Sequence, residues 1–423
     1  MTRASATDGG TVAGGTVLPE ALDGPALRRV VAVLSLSQVV SWGCLYYGFA
    51  ALQSSITTDT GWSATAVTAA FSLALVVSAG VGVWVGRHLD SHGPRLVMTG
   101  ASVLAVPGMI LIAASPSLPW FYLGWVLVGA AMAGTLYPPA FAALTRWGGQ
   151  HRVRALTTVT LAGGLASTVF APLAAWLDAA AGWRITFLVL AGIAVAVTLP
   201  LHWWGLRHAW APSNEPTRTA LRGLPLASAA RDRVATTRPF VMLAAANALV
   251  ALAAFAVVVN LVPMLREQGM DTQTAALVLG LGGLGQVIGR VGYARFADAV
   301  GLTARSVVVV AAVAVFTAAF ALAPPITWVV IMLGMMLGLA RGLYTLVHAT
   351  AVTDRWGPTS YGRLNGILTA PALAASASAP FVGALLATAT GSYATAFLVL
   401  AGLAAAGAAL MATATPPLGR EPS

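Results

Sequence analysis

The chain alternates long apolar runs with short connections in which polar and charged residues are concentrated. A membrane-spanning helix needs about 20 apolar residues to cross roughly 30 Å of hydrocarbon, and twelve runs reach that length. These runs lack the strict two-residue alternation of a membrane β-strand. The pattern predicts an all-α membrane protein with twelve transmembrane helices, at residues 28–52, 63–87, 96–114, 119–142, 154–178, 183–204, 240–264, 272–296, 303–323, 326–350, 361–388 and 393–413.

Composition agrees with lipid as the main solvent of this chain. Of 423 residues, 58% are hydrophobic and only 9% are charged, whereas soluble domains carry roughly 25% charged residues. The net charge of +10 comes from arginines in the connections rather than from a basic helix, which argues against nucleic acid as a partner. The single cysteine, Cys44, excludes an internal disulfide and a cysteine-based metal cluster.

The arginines are unevenly distributed between the two sets of connections. Those after helices 2, 4, 6, 8 and 10 hold most of them, and the opposite set holds only Arg184 and Arg266. Because connections rich in arginine stay in the cytoplasm, we expect both termini there, in a bacterial-type inner membrane. The predicted organisation is a disordered cytoplasmic tail (1–27), a six-helix bundle (28–204), a cytoplasmic linker (205–239), a second six-helix bundle (240–413) and a short cytoplasmic tail (414–423).

The two bundles repeat each other in sequence. The segment FLVLAG at 187–192 recurs at 397–402, and RWG at 146–148 recurs at 355–357. Matches at one nearly constant offset, in equivalent connections, indicate two pseudo-symmetric halves. Parallel six-helix repeats place the substrate site between the halves near the middle of the membrane.

The connection between helices 2 and 3 carries a recognisable motif. Gly86, Asp90, Gly93 and Arg95 resemble the signature loop of the major facilitator superfamily, Gly-x-x-x-Asp-Arg-x-Gly-Arg-Arg. The second half keeps only the Asp and the second Gly of this pattern. A carboxylate at one helix end can bind the positive N-terminus of a neighbouring helix in one state only, so we expect a gating role. The predicted gating residues are Gly86, Asp90, Gly93, Arg95, Asp298 and Gly301.

The resemblance, which covers residues 28–413, implies that helices 1, 4, 7 and 10 line the transport path. Polar residues are placed accordingly: helix 1 carries three of them at four-residue spacing on one face. Tyr137 precedes a Pro-Pro pair that predicts a kink in helix 4. The predicted substrate-binding residues are Arg341, Arg290, Tyr344, His348, Tyr137, Gln38, Trp42, Tyr46, Asn247, Gln286 and Asn365.

Two arginines dominate that set, because a charge inside a membrane helix is costly and is functional by default. Arg341 lies midway along helix 10, and Arg290 lies about 12 Å from the end of helix 8. The alternatives are packing against backbone carbonyls for Arg341 and snorkelling to the cytoplasm for Arg290. Since no predicted span has an acidic residue in its centre, an anion such as a carboxylate is the expected ligand. Arg290 and the sequence Gly61-Trp62-Ser63 resemble the monocarboxylate and oxalate–formate carrier branch.

These features predict a secondary active transporter of a small organic anion such as a monocarboxylate, working by alternating access. A proton is a candidate coupling ion. One alternative is an exporter of a larger neutral or amphiphilic compound, with Arg341 structural. Another is a membrane enzyme or solute sensor, against which the sequence shows no metal-ligand spacing, Ser/His/Asp set or phosphate loop. We expect a monomer whose partners are its substrate and the lipid bilayer, without enzymatic activity, cofactor or metal.

Overall fold

The computed structural model describes residues 22–210, 234–356 and 361–414. Within these ranges the chain is almost entirely helical, as an all-α membrane protein requires. The first tail up to residue 21, most of the predicted linker (211–233) and the last tail from residue 415 lie outside the described residues.

Twelve long helices lie in the described part, which confirms the predicted fold class. The fifth and sixth are continuous in hydrogen bonding and are separated by the non-helical Gly182. The helices are α1 (Gly24–Thr60), α2 (Ala64–His92), α3 (Pro94–Ala113), α4 (Leu118–Trp147), α5 (152–181), α6 (183–205), α7 (Arg238–Glu267), α8 (Thr272–Ala299), α9 (Leu302–Leu322), α10 (Thr327–Thr350), α11 (Tyr361–Thr390) and α12 (Tyr393–Thr413).

Several helices extend beyond the apolar runs that predicted them. The first begins at Gly24 and ends at Thr60, whereas its apolar run covers 28–52. Asp23 accepts a hydrogen bond from the backbone of Ala26 and so caps the N-terminus ahead of the apolar segment. Apolar length therefore measures the lipid-embedded part of a helix and not its ends.

Glycines with positive φ end helices at equivalent places in the two halves. Gly61 (φ 69°) and Gly269 (φ 92°) are 208 residues apart, and Gly182 (φ 78°) and Gly391 (φ 76°) are 209 residues apart. This backbone conformation strains any residue that has a Cβ, which explains why glycine occurs at each position.

The first helix of each half is fastened to the last helix of the same half. In the first half, Asp59 accepts a hydrogen bond of 2.9 Å from the Trp183 indole and forms an ion pair with Arg184. In the second half, Glu267 accepts one of 2.7 Å from the backbone N–H of Tyr393. A carboxylate at the end of one helix thus binds the start of another in both repeats.

Glycines allow α8 and α10 to pack with their backbones in contact. A Cβ on Gly338 would overlap the carbonyl oxygen of Gly282, and one on Gly342 would overlap that of Gln286. From the other side, a Cβ on Gly289 would overlap the Leu339 carbonyl oxygen. Small residues at such spacing are typical of tightly packed membrane helices, where Cα–H···O contacts replace side-chain packing.

Two hydrogen bonds between the halves lie far from what we call the terminal face, the side of the membrane where α1 begins and α12 ends. Phe381 donates its backbone N–H to Ser72 Oγ at 3.1 Å, between α11 and α2. Thr168 Oγ1 donates to the Gly280 carbonyl at 2.7 Å, between α5 and α8. Such contacts must break if the halves are to separate on that side.

The glycine packing predicts a position-specific loss of stability. Gly338→Ala should destabilise the protein by about 1–3 kcal/mol, because the new methyl group has no space beside the α8 backbone. Gly292→Ala is the matched control, since a Cβ at that position of α8 meets nothing within 4 Å. Thermal unfolding of the detergent-purified variants would test this. Equal midpoints for the two variants would contradict the packing described.

Candidate functional site

Arg290 extends from α8 across the interface between the two halves. Its Nη1 donates a hydrogen bond of 2.6 Å to the backbone carbonyl of Thr160 on α5, and its Nε is buried without a hydrogen-bond partner among the described residues. Gly164 provides space for it, since a Cβ there would lie 3.5 Å from Nη1. The structure therefore directs this guanidinium into the interface rather than out to the solvent at the helix end.

Three aromatic residues lie together where α1 meets α4. The Trp42 ring centroid lies 5.3 Å from that of Tyr46 and 5.2 Å from that of Tyr137. Tyr137 follows a break in α4 at Leu136, which lies where the Pro-Pro pair predicts a kink. The Tyr137 hydroxyl occupies the space left by Gly163 of α5, and its oxygen is close enough to Arg290 to interact electrostatically.

This aromatic cluster contains polar atoms that nothing in the described chain satisfies. Trp42 Nε1 and Tyr46 Oη are buried and have no hydrogen-bond partner among the described residues. Buried polar groups are nearly always hydrogen-bonded in native proteins, so an orphaned pair in one cluster indicates a place for a ligand or water.

Arg341 lies on α10, half-buried, beside a small cavity between α7, α8 and α10. Its guanidinium has no ion pair or hydrogen bond within the part of the chain that the structure describes. It interacts electrostatically with the Tyr46 hydroxyl of the other half. Arg341 and Arg290 thus each interact electrostatically with a tyrosine of the first half.

Three other candidate residues bind each other. Tyr344 Oη donates to Asn247 Oδ1 at 3.1 Å, and His348 Nδ1 lies 2.9 Å from the same oxygen. The Asn247 amide donates back to the Leu243 carbonyl at 2.9 Å. With its hydrogen bonds made internally, this group connects α7 to α10 and leaves little capacity for a ligand.

The remaining predicted substrate-binding residues, Gln38, Gln286 and Asn365, are buried or half-buried. Gln38 is fully buried and donates 2.8 Å to the carbonyl of Thr135, next to the break in α4, while its Oε1 has no partner in the described chain. Gln286 is buried with its backbone against α10, and Asn365 is half-buried on α11.

The sequence analysis did not predict Thr160 and Gly163 as residues of this site, although a Gly163-Gly164 pair inside a helix is a sign of close approach.

The loop between α2 and α3 is held within its own half. Gly93 has a φ of 79°, and a Cβ there would lie 2.7 Å from the Trp210 ring. Arg95 donates to the Trp203 carbonyl at 2.8 Å and stacks 4.2 Å from its ring centroid, at the end of α6. Gly86 has open space around it, and the side chain of Asp90 lies outside what the structure describes.

The equivalent loop of the second half is built differently. Asp298 is exposed at the end of α8, and Gly301 has a φ of −58°, a conformation open to any residue. Arg305 forms an ion pair with Asp354, in the short helix Thr353–Trp356 that follows α10. Partial burial lowers the pKa of the adjacent Arg355, and the carboxylate of Asp354 opposes that shift. The backbone conformation of Gly301 does not require glycine, which agrees with the weaker motif in this half.

Comparison with known proteins agrees with this architecture. The model of the Major Facilitator Superfamily matches residues 34–336 and 243–423. Monocarboxylate transporter 13 of Rattus norvegicus is 28% identical over 78% of this chain and 75% of its own length. Monocarboxylate transporter 11 of Mus musculus is 32% identical over 51% of this chain and 47% of its own length. The crystal structure of a mutant of nucleoside transporter NupG superposes with a TM-score of 0.72 at 14% identity, covering 92% of this chain and 99% of that one.

Tyr344 and Tyr46 are both predicted substrate-binding residues, but of the two only the Tyr344 hydroxyl has a hydrogen-bond partner in the described chain. Tyr344→Phe should destabilise the protein by about 0.5–1.5 kcal/mol, because the hydroxyl bonds both polar oxygens of Asn247. Tyr46→Phe removes a hydroxyl without a partner among the described residues and should leave stability unchanged or raised. Thermal unfolding in detergent measures both. Destabilisation by Tyr46→Phe equal to that by Tyr344→Phe would show that both hydroxyls are structural.

Proposed function

Because the chain belongs to the major facilitator superfamily, we propose that this transporter carries a small organic anion, such as a monocarboxylate, by secondary active transport. The chain is a multi-pass membrane protein of a transporter family and not an enzyme. The observation that carries the proposal is the Arg290 guanidinium at the interface between the halves, without a carboxylate partner in the described chain. The proposal includes a monomer in a bacterial-type inner membrane, with a proton as a candidate coupling ion.

The electrostatics of the membrane interior favour an anion at this place. Each described acidic residue lies at or near a helix end, so Arg290 and Arg341 have no fixed counter-charge at their depth. An unpaired charge in a low-dielectric interior is costly. A bound carboxylate would supply that counter-charge and two acceptor oxygens that match the planar guanidinium.

The position of Arg290 also suggests how binding could drive alternating access. Its hydrogen bond to the Thr160 carbonyl joins the two halves. A substrate carboxylate is a stronger acceptor than a neutral carbonyl, so the guanidinium would exchange one for the other. A contact between halves that depends on the presence of substrate biases the equilibrium between their two arrangements. Gating by the Asp90 and Asp298 loops belongs to the same proposal.

A second candidate is an exporter of a larger neutral or amphiphilic compound. The cluster of Trp42, Tyr46 and Tyr137 favours it, because a planar substrate could stack on these rings. The relatives named as monocarboxylate transporters support the anion as the first choice. The likeness to NupG, at 14% identity, supports only the fold.

The proposed orientation, with the terminal face in the cytoplasm, predicts which residues are reached from outside. Cys44 is the single cysteine of the chain and is buried, 1% exposed. Cys44→Ala therefore gives a cysteine-free background in which single cysteines can be introduced for labelling. In that background Thr58→Cys, at the opposite face, should react with an impermeant maleimide on intact cells. Ser91→Cys, at the terminal face, should react only after permeabilisation. The reverse labelling pattern would overturn the orientation.

The substrate class is tested by changing the two arginines. Arg290→Gln should weaken the affinity for a labelled monocarboxylate such as lactate about ten- to a hundredfold, because a charge-assisted hydrogen bond is worth roughly 1.5–3 kcal/mol. Arg290→Lys should fall between Gln and the parent, since it keeps the charge and loses the planar fork. Arg341→Lys and Arg341→Gln should follow the same order.

Arg295→Gln is the matched control, since it removes the same charge from an exposed position on the same helix. Equilibrium binding to detergent-purified variants of matched stability is the measurement, with uridine as a neutral comparison ligand. Unchanged lactate affinity in both Arg290→Gln and Arg341→Gln would reject the anion and favour the neutral-compound exporter.

A further inference from the structure

A groove of about 620 Å³ opens between α1 and α5 at the terminal face, where both helices begin. Its walls are largely apolar and include Leu27, Val31 and Ala155. Two arginines, Arg28 and Arg154, lie on opposite sides of it, one on each helix. An apolar groove that carries two cations at its mouth is suited to an anionic head group with an acyl chain.

The depth of the two arginines matches the head-group layer of a bilayer. Arg28 lies four residues after the start of α1, about 6 Å along the helix, and Arg154 lies two residues after the start of α5, about 3 Å along it. Neither guanidinium has an ion pair or hydrogen bond among the described residues. Both side chains are exposed, and His151 lies on the same rim.

A buried hydroxyl provides a second, independent feature of this groove. Ser35 lies seven residues, about 10 Å, further along α1 than Arg28. Its Oγ is buried and has no hydrogen-bond partner among the described residues, although the residue lines the groove. A donor at this depth, below the charged rim, can meet an uncharged acceptor such as the ester carbonyl of a lipid.

We propose that this groove binds one anionic phospholipid of the leaflet at the terminal face. The phosphate lies between Arg28 and Arg154, and one acyl chain packs along Leu27 and Val31. Basic pockets between transmembrane helices recognise anionic head groups because the local dielectric strengthens the attraction. Binding joins the ends of α1 and α5, and it does not depend on which substrate the transporter carries.

The test compares two double variants that remove the same charge. Arg28→Gln with Arg154→Gln changes the arginines of the groove, whereas Arg29→Gln with Arg152→Gln changes exposed neighbours at the same depth that do not line it. Binding of phosphatidylglycerol and phosphatidylcholine to the full chain in detergent is measured by native mass spectrometry. We expect the parent to prefer phosphatidylglycerol, the groove variant to bind it at least about tenfold more weakly, and the control variant to keep the parent's preference.

Three results would overturn the proposal. Equal losses in the two double variants would indicate unspecific attraction to surface charge. Equal binding of both lipids by the parent would show that the head-group charge is not recognised. Displacement of phosphatidylglycerol by millimolar inorganic phosphate or lactate would identify the groove as a site for soluble anions instead. Phosphatidylcholine binding and the unfolding midpoint show that each variant is folded.

Discussion

The close contact between α8 and α10 is the constraint on which the candidate site depends. Gly338 and Gly342 bring the α10 backbone against that of α8, so neither helix can rotate without losing the contact. Arg290 and Arg341 each lie next to a glycine of this contact, so both leave the helix pair in fixed directions. A guanidinium in the membrane interior must have its direction fixed in this way, since otherwise it would turn toward water at the helix end.

From this constraint follows the way in which the two halves are connected. Arg290 reaches α5 of the first half through the carbonyl of Thr160, and other hydrogen bonds between the halves lie toward the face opposite the termini. The Asn247 group instead makes its hydrogen bonds within the second half and keeps α7 and α10 together. The hydrogen bonds of the Asn247 group therefore hold α7 and α10 together within the second half, whereas the hydrogen bonds between the halves can be exchanged. This is the arrangement that rigid-body motion of two bundles requires.

The sequence predicted those features that depend on local or repeated properties. The apolar runs predicted twelve helices, and the sequence repeat predicted equivalent positions in the two halves, which the structure shows as matching left-handed turns at Gly61 and Gly269. The partner of Arg290 could not be predicted, because a backbone carbonyl has no signature in sequence. Nor could the sequence tell that Tyr344 and His348 bond to Asn247 while Tyr46 has no partner in the described chain. Helix faces follow from periodicity, whereas the choice among polar neighbours depends on distances of a few ångströms.

In the proposed function, a carboxylate binds at the interface beside Arg290. The most direct measurement is an experimental structure of the protein with 2-bromopropionate, in which the anomalous signal of bromine locates the ligand. We expect a bromine peak between the halves, with a carboxylate oxygen at roughly 2.7–2.9 Å from the Arg290 guanidinium and the Thr160 carbonyl released. A bromine peak elsewhere, with Arg290 still bonded to Thr160, would show that Arg290 does not bind the carboxylate.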